Sequence, residues 1–254
     1  MGTVVSLTVP ARALETAAGP RTPVGDRELD AAADAVERVF AHFDETFSLY
    51  RPDSEASRLA RGELSLRDSS AGMRDRYADA VGWRLMTEGA FSPERPDGVL
   101  DLSGIIKGYA IGQAGEALRS RGITDWCLNA GGDVLVMGSP VPGSGASWAA
   151  GVVDPQDRSV LFSAFQLGGS GTLHALATSG SAERGDHIWT AGSRRAEFVQ
   201  VSVAAADILT ADVLATAIVA GGTAMLDRAT DGWEIDVLAV RRGGELLATP
   251  GFRD

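Results

Sequence analysis

The sequence predicts an α+β fold with early helices and a β-rich C-terminal half, and three observations predict it. Helical periodicity dominates the first half of the chain. Strand-like runs closed by Gly or Pro dominate the second, and no steady β-α-β alternation links the two. A length of 254 residues suits one large core, and no repeat, low-complexity tract or long linker divides it, so residues 1–254 read as a single domain.

The elements follow in order. Met1-Gly-Thr-Val-Val-Ser-Leu-Thr-Val9 alternates like a strand and precedes an Ala/Gly/Pro-rich loop from Pro10 to Gly25. Leu29, Ala33, Val36, Phe40, Phe43 and Phe47 recur at steps of four and three, which predicts a long amphipathic helix with its aromatics in the core. Tyr77, Val81 and Leu85 share one face of a second helix from about Met73 to Thr87. Two prolines make Ala90 to Gly98 a loop; a short strand at Val99–Leu102 and a helix from about Lys107 to Arg119 follow. Strands are expected near 125–130, 133–138, 147–154, 159–165, 173–178, 197–205 and 233–240, interrupted by a helix opening at Thr210.

Charge and composition narrow the function. A net charge of −11 argues against nucleic acid, which requires a basic footprint, and against adhesion to anionic membranes. No apolar run is read as long enough for a bilayer, so no membrane insertion is expected. The single cysteine, Cys127, reads as a buried structural thiol. Without a charged-then-apolar leader, the expectation for a natural start at Met1 is a cytoplasmic protein.

Four blocks carry candidate chemistry. In Thr210-Ala-Asp-Val-Leu-Ala-Thr-Ala217, Asp212 and Thr216 lie four positions apart, on one helical face. Two hard oxygens there make a half-shell for Mg²⁺. The competing reading is an N-cap at Thr210, with Asp212 a first-turn acid facing the helix dipole. Asp101-Leu-Ser-Gly-Ile-Ile-Lys-Gly-Tyr-Ala110 leads a polar turn into a helix N-terminus, where backbone N–H groups and Lys107 suit a phosphate; a structural turn is the alternative. Leu128-Asn-Ala-Gly-Gly-Asp-Val134 reads as a hairpin turn or a close approach to ligand. Ala177-Thr-Ser-Gly-Ser-Ala-Glu-Arg-Gly-Asp-His-Ile188 sets small polar residues before Arg184 and His187, groups that hold phosphate and move protons, or sit on the surface. His42 and His174 read as structural or solvated.

With Met1-Gly-Thr3, Phe47-Ser-Leu-Tyr-Arg-Pro-Asp-Ser-Glu-Ala-Ser57 and Thr87-Glu-Gly-Ala-Phe91, these blocks resemble, in order and across nearly the whole chain, the ApbE-type FAD:protein FMN transferases. The resemblance implies a compact ApbE-like, T-fold-related domain. It implies a Mg²⁺-dependent enzyme that cleaves FAD, moves FMN to a threonine hydroxyl of an acceptor flavoprotein and releases AMP. It places Asp212 and Thr216 as metal ligands, with the backbone carbonyl of Ile106 as a third. Met1, Tyr50, Ser92, Ser103 and Lys107 fall at FAD-binding positions, and Lys107 and His187 at catalytic ones, His187 as base for the acceptor hydroxyl. Ser92 stands where the family usually has an aspartate, and nine residues cross a stretch that is commonly much longer. After His187-Ile188 the chain reads Trp189-Thr-Ala-Gly192 where the family continues Ile-Asp-Pro.

Overall fold

A computed structural model describes residues 3–11, 25–157, 159–180 and 196–252. Met1, Arg184 and His187 lie outside the described residues. Seven strands form one antiparallel sheet: β1 (Val5–Thr8), β2 (Trp126–Ala130), β3 (Asp133–Met137), β6 (Ala175–Gly180), β7 (Phe198–Ala205), β8 (Asp236–Arg241) and β9 (Leu246–Ala248), in that spatial order. A separate hairpin, β4 (Trp148–Val153) with β5 (Leu161–Leu167), packs Trp148, Val152, Phe165 and Leu167 against Val136, Leu176, Ala204 and Leu238 of the large sheet.

The helices take the opposite face. Among the described residues the α-helices are α1 (Asp26–Phe47), α2 (Glu55–Ala60), α3 (Ala71–Met86), α4 (Ser103–Arg119) and α5 (Ile208–Gly232). Val201 and Val203 of β7 face this layer while Ala204 faces the hairpin, the two-residue alternation of a strand buried on both sides. In α1 the buried stripe is Ala32, Ala35, Val36, Phe43 and Phe47; Leu29, in the first turn, stays exposed. Trp83 of α3 stacks on Trp233 with ring centroids 6.4 Å apart. Tyr109 of α4 donates its hydroxyl to Asp79 of α3 at 2.7 Å, and burial, then that bond, pushes its pKa up to about 12.

Several expectations change. The apolar run at Val99–Leu102 makes an isolated bridge, Glu94 to Leu100, and no strand. Asp101 turns the chain there by accepting the Ser103 N–H at 2.9 Å, so α4 begins at Ser103, four residues before Lys107. Residues 55–60 form a helix capped by Ser54, and Leu246–Ala248 adds a ninth strand; neither was expected. Cys127 is half-buried on β2, where desolvation raises its pKa to about 11. His174 is half-buried just ahead of β6, and His42 is exposed on α1. The helix α5 is, by length and composition, long and apolar enough to cross a membrane, against the sequence reading; 61% of its most apolar window is buried in the fold. Packed on α4, β6 and β7 and broken at Gly222, it is a core helix.

Candidate active site

The site forms where α4, α5 and the β2–β3 and β6 strands converge. Asp207 caps α5: its carboxylate accepts the Thr210 N–H at 2.9 Å and the Thr210 hydroxyl at 2.8 Å. Thr210 is therefore inside the helix, and the cap reading for it fails because Asp207 already occupies that position. Asp212, 2% exposed, is no surface acid on the dipole either; it points into the protein toward α4.

Close helix packing explains that direction. A Cβ on Gly108 would stand 3.0 Å from Leu209 Cα, so the bare glycine lets the α4 backbone approach α5. Its N–H then reaches Asp212 Oδ2 at 3.0 Å. On the same turn of α4, the Lys107 ammonium lies 3.4 Å from Asp212 Oδ1 and 2.6 Å from Asp133 Oδ2. All three charged side chains are buried.

Asp133 arrives from the hairpin. Gly131 and Gly132 have φ of 64° and 97°, the left-handed pair a two-residue turn requires, and Asn129 accepts the Gly132 N–H at 3.0 Å. The hairpin reading of this block holds, and the turn sets Asp133 at the first position of β3, paired with Ala130. Asp133 Oδ1 accepts the Thr178 N–H of β6 at 3.1 Å, which ties the hairpin to the Thr178-Ser-Gly180 run. Ser179 there meets Thr216 of α5, hydroxyl to hydroxyl, at 3.0 Å. In the sequence Asp133 and Ser179 stand inside longer blocks that give neither a role of its own. The signal for Asp133 was a carboxylate directly after a Gly-Gly turn at the head of the apolar run Val134–Met137.

The other positions expected at the site are less gathered. Ile106 is buried beside Lys107. Ser103 is exposed at the mouth of α4, its N–H already taken by Asp101, so the turn offers an anion one amide fewer than the sequence suggested. Ser92 is half-buried and closes a local turn by accepting the Glu94 N–H at 3.1 Å. Tyr50 is 89% exposed. The block around it shapes the backbone, since the Ser48 carbonyl accepts the hydroxyls of Ser54 and Ser57 at 2.6 and 3.2 Å and so folds the chain back into α2. Among the described residues no cluster of three or more His, Cys, Asp or Glu side chains offers a metal site of that kind. The oxygens at hand are the Asp212 and Asp133 carboxylates and the Thr216 and Ser179 hydroxyls, a set for a hard cation.

Comparison with known proteins matches residues 79–238 to the ApbE family model. The fold is shared with solved structures of the ApbE protein from Thermotoga maritima (TM-score 0.71, 21% identity, covering 87% of this chain and 89% of that one) and the flavin transferase ApbE from Vibrio cholerae (0.69, 20%, 99% and 98%). It is shared also with the apo form of the Pseudomonas stutzeri flavinyl transferase ApbE (0.70, 17%, 98% and 96%). No curated protein matches. The matched residues 79–238 span α4, the β2–β3 hairpin, β6 and all of α5, the elements that build the site, and the chain belongs to the ApbE family.

Proposed function

We propose that the chain is a Mg²⁺-dependent FAD:protein FMN transferase, moving FMN from FAD to a threonine hydroxyl of an acceptor flavoprotein and releasing AMP. Membership of the ApbE family supports flavin transfer in general. The observation that carries the finer reading is the buried meeting of Lys107, Asp133 and Asp212 beside the Thr216–Ser179 hydroxyl pair.

The donor set fits the ion. Asp212 and Thr216, with the Ile106 carbonyl that the family resemblance adds, would hold Mg²⁺ through hard oxygens alone. Bound there, the ion would offset charge developing on the pyrophosphate oxygens. The rest falls to the chain and its substrates. Lys107 supplies a second positive charge, close to where a phosphate beside Asp212 would lie. The acceptor hydroxyl gives its proton to His187 as its oxygen bonds the FMN phosphorus. The P–O bond to the AMP phosphate breaks, and AMP leaves with that electron pair. Met1, Tyr50, Ser92 and Ser103 are the proposed contacts on the FAD side. Tyr50, exposed here, is an open aromatic face for a flavin ring.

Chromatography of purified protein with FAD and Mg²⁺, with and without an acceptor domain, tests the reading. AMP release that requires the acceptor is expected. AMP without acceptor would make the chain an FAD pyrophosphatase, with water in place of the threonine. No AMP in either tube would leave an FAD-binding protein without transfer.

A further inference from the structure

We propose that Asp133 is a positioning residue that keeps Lys107 from occupying the cation site at Asp212. The inference rests on the metal-dependent reading above. It begins from an asymmetry: the Lys107 ammonium is 2.6 Å from Asp133 Oδ2 but 3.4 Å from Asp212 Oδ1. Asp133 is fully buried, and among the described residues its Oδ2 meets only the Lys107 ammonium, so that ammonium is the compensation that makes a buried carboxylate oxygen tolerable.

Asp133 is also the fixed member of the pair. Its backbone is set by the Gly131-Gly132 turn and its Oδ1 by the Thr178 N–H, whereas Lys107 ends a flexible four-carbon stem. A cation arriving at Asp212 must displace the ammonium from Oδ1 or coexist with it. Asp133 eases displacement by offering the ammonium a buried anion already in contact. Without Asp133, the nearest carboxylate for Lys107 among the described residues is Asp212 itself, and the lysine becomes an internal competitor for the site.

Mn²⁺ affinity in a double-mutant cycle tests this, read by electron paramagnetic resonance of free Mn²⁺, with folding checked by circular dichroism. Asp133→Asn is expected to weaken Mn²⁺ binding about tenfold or more, while in a Lys107→Met background the same change moves it less than about threefold, a coupling within the range of contacting pairs. Equal loss in both backgrounds would overturn the proposal, because Asp133 would then act on the ion directly, as ligand or through-space charge. Unchanged affinity in Asp133→Asn would overturn it too. Those two outcomes leave the transferase reading standing; a wild-type protein that binds no Mn²⁺ would remove the metal-dependent reading and the positioning role together.

Discussion

Asp212 joins the two halves of the chemistry. One of its oxygens receives an amide from α4 and the other faces the ammonium from the same turn, so the carboxylate is held still without being fully neutralised. Asp212→Ala should abolish acceptor-dependent AMP release and cost about 1–3 kcal/mol of stability, because the Gly108 amide loses a carboxylate acceptor and the Lys107 ammonium one of its two buried anions. Lys107 keeps Asp133 as its partner in that variant, so the fold should persist; turnover by chromatography and unfolding by circular dichroism separate the effects. Gly108→Ala places a methyl 3.0 Å from the Leu209 backbone, which cannot yield as a side-chain tip can. The helices must part by a few tenths of an ångström beside the Asp212 carboxylate, so turnover should fall severalfold. A Gly108→Ala protein with wild-type turnover would show that the close approach is packing alone.

Elements were legible in the sequence to the extent that they carry a period. Strands from 126 to 205 and the helices α1, α3 and α5 announce themselves by alternation or by three-four spacing. The start of α4 did not, because the signal is an Asp101 side chain turning the chain, and the six-residue α2 is too short to show a stripe. The break in α5 was equally hidden. Gly222, at φ 64° and ψ −152°, lies in a region open essentially to glycine, and Glu197 restarts the helix by accepting the Thr223 N–H at 3.0 Å and its hydroxyl at 2.7 Å. Gly222→Ala should therefore lose about 1–3 kcal/mol in thermal unfolding. The bonds from Thr223, first its hydroxyl and then its amide, hold the Glu197 carboxyl below its usual 4.5, with Arg241 helping. A depressed carboxylate stabilises the fold above the unfolded pKa and loses that contribution as pH falls through the folded one. Glu197→Gln should thus lower the melting temperature at pH 7, with the gap to wild type closing below about pH 4.

At the scale of the molecule, the layers put the charged cluster where water is scarce: helices on one face of the sheet, the β4–β5 hairpin on the other, and the site between α4, α5 and β6. The sequence could set Asp212 and Thr216 on one helical face from their spacing. It could not reveal that Asp133, 79 positions before Asp212, meets the same lysine, because a strand crossing sets that distance. Nor could hydropathy alone tell a spanning helix from α5, whose apolar surface is matched by β6 and β7. The proposed reaction makes one chemical commitment, transfer that depends on a hard cation at Asp212 and on an acceptor hydroxyl. The most direct measurement is the intact mass of an acceptor domain after incubation with the protein, FAD and Mg²⁺, beside the same mixture in EDTA. A gain of one FMN that vanishes with EDTA is the predicted result; an unchanged acceptor mass, with an established transferase succeeding in parallel, would contradict it.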